Sequence, residues 1–280
     1  MNLNKAPFVF TPQSTMVPHT LFLVLACWIS CVSALPSSPV AGPEYVVGTW
    51  DMPLVKSFWT LFWGQNVPQV MSVQEDEGNQ LPGWYDPSLN GGRMLDFTTR
   101  RYGEPLNVII SGSSDPFVLT DEGLRLYTNS LGYAEECLGL HMGHLHEANL
   151  GDGDSRKTQL YLARQSYFPI LGTCWESLTG GHHFRAWKQN GTLANSGAWF
   201  IGASKELDSR HHHQIVPNGY NIGRDWIVLR ATHGSSWKGM RWNATVEWRE
   251  DLLEAGSDGI NHGIAQDGRV AVLNVQRIPF

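Results

Sequence analysis

Apolar residues in the ordered-looking part of this chain come in short runs broken by Gly, Pro and Asn, not in long helical stripes. Leu106-Asn-Val-Ile-Ile110, β-branched and bounded by Pro105 and Gly112, predicts a strand. Ser114-Asp115-Pro116 then offers a cap with a proline at the first helical position, and Phe117, Leu124 and Tyr127 recur at helical spacing up to Gly132, so a helix is predicted there. Further short β-rich runs predict strands at 159–163, 183–187, 197–202, 212–216, 244–248 and 270–275. Within 183–187, Phe184 and Ala186 alternate with His183, Arg185 and Trp187, the period of a strand with two different faces. Helices are predicted at 223–231 and 249–255. Strands outnumber helices and do not alternate regularly with them. The predicted fold class is therefore α+β, a single domain with a mostly antiparallel or mixed sheet and a few helices.

The N-terminal pattern is different. Leu21 to Ala34 is uncharged and apolar, and it ends in Val32-Ser33-Ala34, a small-x-small cleavage pattern. Residues 1–34 are read as a signal peptide, against the rival of an uncleaved anchor, because the run is short of the roughly 20 residues a spanning helix needs. Residues 35–104 form an N-terminal extension and 105–280 the main domain. Phe58, Trp59, Phe62 and Trp63 cluster within the extension. They suit packing better than a membrane surface, because the segment lacks a basic face.

Removing 1–34 removes Cys27 and Cys31 and leaves Cys137 and Cys174, an even pair for an oxidising compartment, with two free thiols as the alternative. Asn190-Gly-Thr and Asn243-Ala-Thr are glycosylation sequons and should lie on the surface. The whole chain carries a net charge of −6, and cleavage would remove one cation, Lys5, and no acid. This mildly acidic balance argues against nucleic acid and anionic membranes as partners. The expected location is secreted and extracellular, with no stable membrane insertion after cleavage.

Pro105-Leu-Asn-Val-Ile-Ile-Ser-Gly112, Gly181-His-His-Phe-Arg-Ala-Trp187, and His211-His-His-Gln-Ile-Val-Pro with Gly223-Arg-Asp225 behind it resemble the LssY C-terminal domain family. Glu136-Cys-Leu-Gly-Leu-His, Ala148-Asn-Leu-Gly-Asp-Gly153, Gly172-Thr-Cys-Trp-Glu-Ser and Pro217-Asn-Gly-Tyr-Asn-Ile-Gly-Arg-Asp225 are similar to secreted fungal proteins of that kind. The resemblance covers about 105–280. It implies no settled activity. Bacterial members resemble fusions to phospholipid-phosphatase membrane domains, which hints by analogy at lipid or phosphate substrates.

Two constellations can carry chemistry. His183 and Arg185 share a strand face, and His213 with Arg224 is expected to join them. Such a set suits an anion, with Arg as the planar fork and His as acid/base. The plainer alternative makes Arg224-Asp225 an ion pair and the histidines structural. The second set is His144-Leu-His146, two imidazoles for a metal, followed by Asp152 and Asp154. In the 211–213 run, at most His211 and His213 can cooperate from one strand face. No serine-hydrolase elbow, phosphate-binding loop or dinucleotide fingerprint occurs. The expected function is therefore a ligand-binding or interaction module for an anionic small molecule, lipid or glycan, in a cleft ringed by Trp187, Trp199 and Trp226. The alternative is a secreted hydrolase of a phosphate-bearing or other anionic ester. No cofactor is expected, and a divalent metal is admitted.

Overall fold

The computed structural model describes residues 83–137 and 144–279. Residues 1–34, read above as a signal peptide, most of the extension with its Trp-rich segment, and His141 lie outside the described residues. Strands β1 (Val108–Ile110), β2 (Tyr133–Glu135), β5 (Tyr161–Gln165), β6 (Gly181–Lys188), β7 (Trp199–Glu206), β8 (Ser235–Trp237), β9 (Met240–Arg249) and β10 (Val270–Arg277) form one eight-stranded sheet. Its order is β2-β5-β6-β7-β1-β10-β9-β8. The β1–β10 pair is parallel and the other described pairs of this sheet are antiparallel. A small two-stranded sheet joins β3 (Glu147–Ala148) to β4 (Lys157–Thr158). With helices α1 (Asp121–Ser130), α2 (Gly172–Thr179) and α3 (Gly219–Thr232), this is a single α+β domain.

Period-two alternation splits the core into two layers. Val108, Ile110, Phe184, Ala186, Trp199, Ile201, Ala271 and Leu273 face α1 and α3. Ile109, Trp187, Phe200, Val270 and Val272 face the other side, with Ala148 of β3 and with Met94, Leu106 and Leu150 from irregular segments. The folded unit thus extends N-terminally past Pro105, since Met94 is in its core. Trp187 and Trp199 fill opposite layers and are fully buried, and Trp226 stacks on His182 with ring centroids 4.6 Å apart. The three tryptophans therefore build core and do not ring a cleft.

Local chemistry explains where predicted elements shifted. Asp115 accepts the Phe117 N–H at 2.9 Å and closes a turn, so α1 starts only after Thr120, whose hydroxyl caps Gly123 N–H. Asp121 and Glu122 in its first turn suit the helix dipole. α3 begins at Gly219 and crosses β7 closely at Gly223, where a Cβ would lie 2.4 Å from the Ser204 backbone. The predicted helix at 249–255 is absent. Arg249 ends β9, and its guanidinium folds onto Asp251 at 2.6 and 2.8 Å. The predicted strand at 212–216 is absent too. Asp208 caps a short turn at Ser209–His211, His212 and His213 are both left-handed at φ 53°, and only Ile215 bridges to the sheet, at Glu206.

Cys137 and Cys174 are disulfide-bonded and clip the segment after β2 to α2. Asn190, in the β6–β7 loop, and Asn243, on β9, are both exposed. Among the described residues no helix is long and apolar enough to cross a membrane.

Candidate functional site

The sheet face away from α1 and α3 carries a concentration of buried polar groups. β6 supplies His183 and Arg185, which lie beside Ser204 and Gly202 of β7 and Arg164 and Leu162 of β5 in register. Odd-numbered residues of β6 point to this face because Phe184 and Ala186 are claimed by the helix-side core. Around the strands, irregular segments contribute Asp96, Glu104, His146 and Gln159, all buried.

Asp96, Glu104 and His146 form one half of the site, with one ligand atom from each within 4.8 Å of the others. The Asp96 Oδ1 atom accepts the backbone N–H of Thr98 at 3.0 Å, the Thr98 hydroxyl at 2.7 Å and the Glu104 N–H at 2.7 Å. Its Oδ2 lies 2.7 Å from His146 Nδ1. With the proton on Nδ1 and donated to Asp96, His146 keeps a lone pair on Nε2. Burial and then the neighbouring Asp96 charge raise the Glu104 pKa, while His146 and Arg185 oppose the shift. This trio can hold a metal ion. Its chemistry, two carboxylates and an imidazole, suits a zinc- or manganese-like divalent cation with solvent completing the shell. His144 is exposed and lies outside the trio.

Gln159 links this half to β6. Its Oε1 accepts the His146 backbone N–H at 3.0 Å and Arg185 Nη1–H at 2.7 Å. Arg185 is 7% exposed, and its Nε, buried, has no hydrogen-bond partner.

The other half centres on Arg164. Its guanidinium meets Glu136, Glu206 at 2.7 Å and Glu176 of α2 at 3.3 Å. The disulfide sits between Glu136 and Glu176 in the chain, so it holds two of these three carboxylates in place. Burial raises Glu176 to about 8 and Glu206 to about 7, with Arg164 opposing both shifts. His183 Nδ1 lies 3.3 Å from Glu206 Oε1 and 3.1 Å from the Ser204 hydroxyl. His213 Nδ1 lies 3.6 Å from Glu206 Oε2. Burial, with Arg164 and Arg185 nearby, holds the His183 pKa well below its ordinary value. The His183–Glu206 contact is therefore between a neutral imidazole and a carboxyl group. The same His183 nitrogen faces both Ser204 and Glu206, which is not the relay of a serine nucleophile, its base and an orienting acid.

Of the residues singled out from sequence, His183, Arg185 and His213 come together with His146. Arg224 does not. It is paired with Asp225 at 2.9 Å and bidentately with Asp267 at 2.6 and 2.8 Å, donates to the Arg269 carbonyl, and lies over the Trp248 ring. Trp248 belongs to the helix-side layer, so Arg224 serves the opposite face of the sheet. His211 is exposed and pairs with Asp208. Asp152 and Asp154 are engaged by the Lys157 ammonium, which also donates to Asn190 Oδ1 at 3.0 Å. Sequence reasoning missed Asp96, Glu104, Gln159, Arg164, Glu176 and Glu206. Only Gln159 lay on a predicted strand, at 159–163, and Arg164 follows that stretch directly, within the observed β5.

The fold and site together define an α+β domain with a buried acid- and histidine-rich chamber on one sheet face. Compared with protein-family models, curated proteins and solved structures, the chain matches none.

Proposed function

We propose that this domain is a secreted ligand-binding module that holds one divalent cation on Asp96, Glu104 and His146. The observation that carries the reading is the convergence of one buried ligand atom each from Asp96, Glu104 and His146, all within 4.8 Å of one another. Burying uncompensated carboxylates is costly, and a divalent cation offsets that cost at the point where three ligand atoms already converge. The LssY C-terminal-like resemblance, removal of residues 1–34 and glycans on Asn190 and Asn243 belong to the same proposal. The disulfide and the exposure of both asparagines support the extracellular part of it.

The test is calorimetric titration of Zn²⁺ and Mn²⁺ into chelator-stripped secreted protein. One site per chain is expected for at least one of the two ions, weakened at least tenfold in Asp96→Asn. Absence of saturable binding of either ion refutes the cation site.

A second reading, a hydrolase of an anionic ester, is favoured by one contact. The 2.7 Å Asp96–His146 pair leaves Nε2 as a base, with Gln159 joining the His146 backbone to Arg185, whereas His183 is neutral. It moves the acid/base role from His183 or His213 to His146. Turnover of p-nitrophenyl phosphate or p-nitrophenyl acetate that falls 100-fold or more in His146→Ala would support it. Turnover unchanged in that variant would end it.

A further inference from the structure

The β8–β9 hairpin and the last turns of α1 and α3 wall a cavity of about 560 Å³ that opens to solvent. That volume lies within the roughly 300–1,000 Å³ of small-molecule sites. Its lining contains Arg230 of α3, His233 just beyond that helix and Arg241 of β9, and no acidic residue. Such a set stands out in a chain of net charge −6. Other cations are neutralised in place: Arg249 by Asp251, Arg277 by Asp115, and Lys157 by Asp152 and Asp154. Among the described residues neither Arg230 nor Arg241 makes an ion pair. The Arg230 guanidinium lies over the Trp226 ring, 5.2 Å from its centroid, so its position is set by packing and not by a carboxylate.

The helix ends do not account for both arginines. Arg230, in the last turn of α3, offsets the partial negative charge of that helix end. The carbonyls there already have donors: Leu229 takes His233 Nδ1–H at 2.8 Å, and Val228 takes the Thr232 hydroxyl at 2.9 Å. Arg241 comes from a strand, in register with Ser236, and is exposed. With its Nδ1 proton given to Leu229, His233 keeps Nε2 for an incoming hydroxyl. Ser235 and Ser236 add hydroxyls that can both donate and accept. Apolar surface is scarce. Of the two large apolar residues in the lining, Trp242 is fully buried in the core and Ile278 is only partly exposed.

We propose that this cavity is a second binding site, separate from the cation trio, for a sugar that carries an oxyanion as a phosphate or sulfate ester. Arg230 and Arg241 take the ester oxygens, because a guanidinium offers paired donors in one plane. His233, Ser235 and Ser236 take the hydroxyls of the sugar, where an aliphatic body would find little apolar wall. The site uses none of the chamber residues and does not rest on the cation reading. Phosphate and sulfate esters share the recognition chemistry, so the test includes both. Asn243, the sequon residue, also lines the cavity. Thr245→Ala removes the sequon and keeps the Asn243 side chain, so no glycan stands in the cavity during the test.

The experiment is calorimetric titration of chelator-stripped Thr245→Ala protein with glucose 6-phosphate, glucose 6-sulfate, glucose and inorganic phosphate. At least one ester should bind roughly tenfold or more tightly than glucose, which has no oxyanion, and than inorganic phosphate, which has no sugar body. Adding Arg241→Gln, at an exposed position, should weaken that ester about tenfold and leave any affinity for glucose as it was. Adding Arg210→Gln instead, at an exposed arginine outside the cavity, should change nothing. Equal affinity for the esters and glucose overturns the proposal. So does an ester affinity that Arg241→Gln leaves intact, or that Arg210→Gln lowers as much. Inorganic phosphate bound as tightly as the esters overturns the sugar class, and no saturable binding of either ester overturns the site itself.

Discussion

Replacing Arg164 by Met tests the electrostatic heart of the chamber. Its side chain is 4% exposed and contacts three carboxylates. Met fills much of the same volume, so the main loss is charge and not packing. Removing one partner from a buried ion pair leaves uncompensated charge and costs about 3–5 kcal/mol. The cost depends on pH, and its sign follows from the carboxyl groups. Glu206 and Glu176 have folded values raised to about 7 and about 8, above their ordinary 4.5. A raised acid favours the folded state while protonated, and that contribution is lost as pH climbs from the unfolded value through the folded one. Arg164 opposes this rise in the native protein. Without it the two values climb further and the loss with pH becomes steeper. Arg164→Met should therefore cost about 3–5 kcal/mol at pH 8 and distinctly less at pH 5, where the carboxyls can take protons. In a domain of this size that corresponds to a fall in Tm of roughly 6–20 °C at pH 8. Urea unfolding at both pH values, with the disulfide intact, reads it directly. An equal loss at pH 5 and pH 8, or a loss below about 1 kcal/mol at pH 8, would refute the argument.

Other consequences are as specific. Ile170 is 95% exposed at φ 72°, so Ile170→Gly should raise stability by about 1 kcal/mol through relief of left-handed strain, seen as a higher urea midpoint. Cys174→Ser opens a link between residues 37 apart and should cost about 3–4 kcal/mol in the same assay; no change would mean that the disulfide does not constrain the fold. Arg224→Gln should destabilise by breaking a buried, bidentate pair with Asp267, yet leave zinc affinity as it was, and a change in that affinity would put Arg224 back in the site.

The strands were legible where period two held. In β6 the alternation of Phe184 and Ala186 with His183 and Arg185 marked both the element and its polar face. The same reasoning failed at 212–216, because His212 and His213 take left-handed φ that no strand contains, and a five-residue stretch with Ile215 and Val216 as its only apolar residues does not reveal it. His213 still reaches the chamber, from a turn. Arg224-Asp225 read correctly as an ion pair in its plainer form, but Asp267, the stronger partner, lies 43 residues away. The cation trio was mostly hidden. Asp96 and Glu104 sit in irregular chain assigned to an extension, and neither spacing nor periodicity links them to His146. His144 and His146 would share a face only on a strand, and residues 144–146 are not one.

The most direct measurement is an anomalous difference map, at the zinc edge, from crystals of the protein grown with Zn²⁺. The account predicts a peak bounded by Asp96, Glu104 and His146, at bonding distances of about 2.0–2.2 Å, and its loss in Asp96→Asn. A peak only at His211 or the other exposed histidines, or none at saturating zinc, would contradict it.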